Sequence, residues 1–162
     1  MSNARARFLS RRLKLIDDIK SEQGCKQCGI RDPQVLDFHH RDPNTKRYAI
    51  SKIRTHAKKT LLEEIAKCDV YCANCHHILE LEQGVYQSGT LIRTRREQMR
   101  KWLDGLKTEC GCGESDPRVL RFVGSNPSVQ QMWHKGWGKE RILAAIEECE
   151  LLCLNCIRKR ND

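Results

Sequence analysis

The chain has 162 residues and 18.9 kDa, 39% of it apolar and only 6% aromatic, so one ordinary domain or two small ones must manage with a thin core. Lys and Arg number 30 against 21 Asp and Glu, and the resulting net charge of +9 with a pI near 9.2 points to a polyanionic partner. No run approaches the ~20 apolar residues of a membrane helix, and the opening MSNARARFLSRR has no apolar core for a signal peptide, so the expectation is a soluble, cytoplasmic protein whose ten cysteines bind metal rather than form disulfides.

In chain order, Arg5 to Glu22 places Phe8, Leu9, Leu13, Ile16 and Ile19 at helical spacing with Arg and Lys on the remaining face. Gln23 and Gly24 end that helix, and Cys25 and Cys28 form a knuckle. Asp32 and Pro33 predict a turn, and Val35 to Phe38 a short strand. The stretch from Asn44 to Lys59 holds Lys46, Arg47, Lys52, Arg54, Lys58 and Lys59 without a single acid. Thr60 with Glu63 predicts a capping box for a short helix through Lys67. A second knuckle, Cys72 to Cys75, leads into a helix over His76 to Leu81, and Gln83 to Thr90 reads as a linker. Arg93 to Lys107 then opens the same order again as a second leading helix.

The repeat is visible by superposition. CGIRDPQVLDF, from Cys28 to Phe38, lies over CGESDPRVLRF, from Cys112 to Phe122, with seven of the eleven positions identical at an offset of 84. EEIAKCDVYCANCHHI, from Glu63 to Ile78, lies over AAIEECELLCLNCIRK, from Ala144 to Lys159, at an offset of 81. The expectation is two copies of one module, at residues 1–84 and 85–162, in an α+β fold.

Two close cysteine pairs divided by a long loop are the spacing of a closed tetrahedral zinc site. Cys25, Cys28, Cys72 and Cys75 supply one such set and Cys110, Cys112, Cys153 and Cys156 a second, so two structural zinc ions are expected. Cys110 is the weakest of the eight, because a single residue separates it from Cys112. Cys68 and Cys149, each four residues before a second knuckle, read as small buried hydrophobes.

Histidine separates the copies. The first reads LDFHHRDPNTK and CANCHH, with His39, His40, His76 and His77; the second reads LRFVGSNP and LCLNCIRK, with Val123, Gly124 and Ile157 in place of His39, His40 and His76. Histidines required by the cysteine frame would be expected twice, so these are assigned to chemistry. His56 and His134 match nothing in the frame and read as surface residues, and Trp102, Trp133 and Trp137 as core, with Trp137 the one open to exposure.

The run CKQCG, LDFHHRDP, EEIAKCDVYCANCHH, in that order over residues 25–81, resembles the HNH endonucleases, the ββα-metal nucleases, and among them the small zinc-stapled members common in phages. The resemblance implies two tandem ββα-metal modules, each preceded by a basic helix, of which the second is degenerate. It implies His39 and His76 as ligands of a catalytic divalent metal, Mg²⁺ or Mn²⁺, and His40 as general base, with His77 and Glu80 as further candidate ligands. The family's middle asparagine usually stands where this chain has Lys67; Asn74, the nearest asparagine, recurs as Asn155 in the histidine-free copy and reads as structural.

The expected function is metal-dependent hydrolysis of double-stranded DNA in a bacterial or phage-infected cell. One active module nicks one strand and the second aids binding, with a monomer favoured over a homodimer. Lys46, Arg47, Lys52, Arg54, Lys58, Lys59, Arg95 and Arg96 are assigned to the phosphate backbone. The competing class is a non-catalytic zinc-stapled DNA-binding protein, such as a regulator or packaging accessory.

Overall fold

The structure, a computed structural model, describes residues 3–84 and 90–160, without the side chains of residues 3 and 90–96. The expected phosphate contacts Arg95 and Arg96 and the linker stretch 85–89 therefore lie outside the described residues. The chain forms two compact units, Met1–His76 and His77–Asp162, with the division inside a helix.

The first unit opens with α1 (Asn3–Gln23), whose Leu9, Leu13, Ile16 and Ile19 recur at helical spacing and turn Ile16 into a core of Ile53, Leu61 and Ile65. Gly24 ends the helix in the left-handed region at φ 68°, its N–H donating to the Lys20 carbonyl at 2.8 Å. After the first knuckle, Asp32 caps a 3₁₀ turn, Pro33–Val35, by accepting from the Gln34 N–H. There the chain enters β1 (Leu36–His40), which pairs antiparallel with β2 (Cys68–Cys72), placing Leu36 opposite Cys72 and His40 opposite Cys68. Val35, Leu36, Val70, Cys25 and Cys72 form a second core cluster, and Phe38 packs against both clusters.

Between the strands the basic stretch carries two 3₁₀ turns, Pro43–Thr45 and Ile50–Lys52, before α2 (Lys58–Ile65). The capping box expected at Thr60 and Glu63 is not formed: α2 starts three residues earlier, with Ala57 at its N-cap and no side-chain cap. The earlier start adds nearly a turn ahead of Leu61, which with Ile65 buries against Ile16 and Ile53. It stops at Ile65 rather than Lys67, because Cys68 must enter β2. Val70 and Tyr71 are β-prone residues that mark this strand in the sequence. From Cys72 the chain passes directly into α3 (Ala73–Glu82), so the second knuckle lies in a helix's first turn.

The second unit contains α4 (Thr90–Asp104), then β3 (Leu120–Val123) paired antiparallel with β4 (Glu150–Cys153), and α7 (Leu154–Arg160) following the second knuckle. Where the first unit has its basic loop, this one has α5 (Val129–His134) and α6 (Lys139–Glu147). Ser128 and Gln131 form the capping box of α5. Trp102, Trp133 and Trp137 pack against the buried Leu103, Val129, Met132 and Ile142, as core residues. Trp137 is half-buried, with the Arg141 guanidinium 4.1 Å from its ring centre. Among the described residues no helix is long and apolar enough to cross a membrane.

Candidate metal centres and histidine cluster

The antiparallel register sets Leu36 beside Cys72, so that the turn before β1 and the end of β2 bring the two cysteine pairs of the first unit together. The four Sγ atoms of Cys25, Cys28, Cys72 and Cys75 lie within 4.8 Å of one another, with 3.7 Å from Cys28 to Cys72. A tetrahedron with Zn–S bonds of ~2.3 Å has edges of about 3.8 Å, so these sulfurs fit zinc. Cys110, Cys112, Cys153 and Cys156 repeat the arrangement, again with 3.7 Å from Cys112 to Cys153, and Cys110 belongs to it in full.

The knuckles close differently. Gly29, at φ 76°, returns its N–H to the Cys25 carbonyl four residues back, whereas Gly113, at φ 88°, returns to Cys110 three residues back. A tighter turn absorbs the missing residue. Burial opposes the Cys25 thiolate, but the backbone N–H groups around Cys28, Cys72 and Gln27 outweigh it and lower its pKa to about 7. Cys28 and Cys75 are pushed up, by burial first and then by neighbouring sulfurs. A divalent cation among four such sulfurs removes this mutual opposition. Cys68 and Cys149 stay outside both sets and donate to the carbonyls of Glu64 and Ala145.

Strand alternation divides the adjacent histidines of β1. Leu36, Phe38 and His40 turn to the core face, and Asp37 and His39 to the other. On that outer face, His39 meets His76, which is carried one residue past the second knuckle by the first turn of α3. His39 Nδ1 and His76 Nε2 are 2.9 Å apart. The two nitrogens are in hydrogen-bond contact, one donating to the other, and their separation also matches the about 3.0 Å between two nitrogens on neighbouring positions of an octahedral ion with bonds of ~2.1 Å. Asp37 Oδ2 is 4.0 Å from His76 Nδ1, on the far side of that ring. Asp69, opposite His39 in the register, is taken up by Lys26 at 2.6 Å and Arg41 at 3.2 Å. Among the described residues only the two four-cysteine groups gather three or more ligand atoms.

His40 is 9% exposed, and its Nε2 lies 2.9 Å from Oε1 of Glu64, itself 2% exposed. The same oxygen accepts the Arg47 and Tyr48 backbone N–H groups at 2.8 and 3.1 Å. Oε2 accepts from Lys67 Nζ at 2.7 Å, and Lys67 also donates to the Thr45 carbonyl. Burial raises the Glu64 pKa, yet the bonds from Lys67, the Tyr48 amide, His40 and the Arg47 amide overcome it, lowering it from 4.5 to about 2. A carboxylate without a proton can only accept, so His40 Nε2 carries the hydrogen.

Glu64 is the residue that reading by motif passed over, and Lys67 was marked only as standing in the place of an asparagine. Their signal was the second copy, which has Ala145 and Glu148 at these places. His77 belongs to the second unit, where its Nε2 accepts from Arg121 at 3.0 Å. Glu80 is half-buried one turn further along α3, and Asn74 is buried. Lys46, Arg47, Lys52, Arg54, Lys58 and Lys59 are all exposed, as are His56 and His134.

No protein-family model, curated protein or solved structure matches the chain. Fold and site together define a small mixed α+β protein with two short antiparallel sheets and two four-cysteine groups compatible with zinc.

Proposed function

We propose that the protein is a metal-dependent endonuclease of the HNH kind, with one active ββα-metal module and one degenerate module that keeps only the zinc frame and aids DNA binding. The observation that carries this is the 2.9 Å approach of His39 Nδ1 and His76 Nε2 across β1 and α3, in the only copy that has these histidines. His39 and His76 would hold the ion, which when bound supplies positive charge for a scissile phosphate and its leaving oxygen. Nitrogen donors suit a transition ion better than Mg²⁺.

The chain's own groups do the rest. His40, held as its Nε2–H tautomer, has its lone pair on Nδ1 and takes a proton from water there. The water oxygen bonds to phosphorus, the P–O bond to the leaving sugar oxygen breaks, and that oxygen is protonated from solvent. The exposed basic loop from Lys46 to Lys59 tracks the phosphate backbone. His40 is the last residue of β1, so the substrate phosphate must reach across the strand's end to meet both histidine faces.

The burial of His40 favours a second reading, a zinc-stapled DNA-binding protein in which the His40–Glu64 contact is structural. Supercoiled plasmid incubated with Mg²⁺, Mn²⁺ or Ni²⁺, beside His40→Ala and an EDTA control, separates the two. Open circles formed by the wild type alone are expected. Retarded but uncut DNA under every ion overturns the nuclease assignment in favour of the binder.

A further inference from the structure

We infer that Glu64 is a positioning residue for His40, fixing the imidazole as its Nε2–H tautomer, and that Lys67 and the Arg47 and Tyr48 amides hold the Glu64 carboxylate for that task. The inference rests on the nuclease reading for its catalytic consequence, and on geometry alone for the tautomer. A free neutral imidazole divides its proton between two nitrogens, and only one tautomer leaves Nδ1 able to accept. Glu64 Oε1, 2.9 Å from Nε2, selects that tautomer and orients the ring, as a carboxylate behind a catalytic histidine does elsewhere.

A structural tie between α2 and β1 explains the contact less well. In the second unit His40, Glu64 and Lys67 are replaced together, by Gly124, Ala145 and Glu148, while the four zinc-frame cysteines persist, as do Cys149 in the place of Cys68 and Asn155 in the place of Asn74. The second unit still pairs its strands, and at Gly124, φ 135°, the chain has closed until an added Cβ would meet the Glu148 carbonyl at 3.2 Å. The second unit thus pairs its strands without any member of the trio.

Glu64 also joins the base to the substrate loop. Thr45, Arg47 and Tyr48 are stitched to the Glu64–Lys67 pair through their backbone, which leaves the Arg47 side chain and the 42% exposed Tyr48 facing outward. Loop seating and base orientation therefore depend on one carboxylate.

The test uses the full chain loaded with zinc. ¹⁵N-histidine NMR, with the His40 signals assigned by their loss in His40→Ala, is expected to show a protonated Nε2 and an unprotonated Nδ1 in the wild type. The reverse tautomer overturns the inference whether or not the protein cuts DNA. Glu64→Gln is expected to lower single-turnover nicking by about 10²- to 10⁴-fold, with DNA affinity and zinc content held within about twofold. Nicking within about threefold of wild type overturns the positioning role. Should Glu64→Gln lose zinc or unfold, Lys67→Met replaces it, with a rate loss of about tenfold expected at unchanged affinity and an unchanged rate counting against the inference. A wild type that never cuts removes the nuclease reading, and the NMR arm still decides the tautomer.

Discussion

Glu64 is ionised although almost nothing of it reaches water, and a buried carboxylate is tolerable only when its lone pairs are filled. Four donors fill them. The folded pKa of about 2 lies below the ordinary 4.5, so the stabilisation is complete above pH 4.5 and is lost as pH falls through about 2. The linkage is on the order of 3 kcal/mol. Denaturation of the wild type and Glu64→Gln should therefore show a stability gap at pH 7 that narrows progressively below pH 4.5. A gap independent of pH would show that the carboxylate charge contributes nothing. Loss of zinc in acid affects both proteins alike, so the difference isolates residue 64.

At the scale of elements, each cysteine frame is assembled by a strand register, and each is confined to its own unit. Native mass spectrometry should find two zinc ions on the wild type and one each on Cys28→Ser and Cys112→Ser. Cys68→Ala, which alters a thiol outside both frames, should retain two. Loss of an ion there would place Cys68 in the frame. Backbone bonds from Arg47 and Tyr48 to Glu64 anchor the start of the basic stretch, and Lys52, Arg54 and Lys58 beyond them are exposed; on the proposed reading they would meet phosphate. Replacing all three by Gln should weaken DNA binding and flatten the slope of log K against log salt by about 0.9 for each phosphate no longer neutralised. An unchanged slope would move the DNA to another face.

For the whole molecule, the nuclease reading with two frames but one set of histidines would give one reaction centre per chain. A monomer should convert supercoiled plasmid to open circles, with linear DNA appearing only after nicks accumulate. Linear product from the first turnover, rising with the square of protein concentration, would show that two chains act together.

The cysteine frames and the repeat were legible because zinc ligation fixes residue type and spacing together. Both survive as letters at fixed offsets, even where Cys110 and Cys112 stand one residue closer. The leading helix was legible from Leu9, Leu13, Ile16 and Ile19 for the same kind of reason, a period imposed by one buried face. The start of α2 was not, since the helix begins at Lys58 with no side-chain cap to mark it and is held by the burial of Leu61 and Ile65. Nor was the partner of His40, which comes from 24 residues further along the chain.

The sequence by itself thus determined which residues can bind metal, that the chain is written twice, and that only one copy carries histidines. The tertiary structure decided which atoms meet. Pairing of β1 with β2 sends His39 outward to His76 and His40 inward to Glu64, because successive side chains on a strand leave by opposite faces. Two adjacent letters in the sequence become two separate environments, and only the fold could separate them.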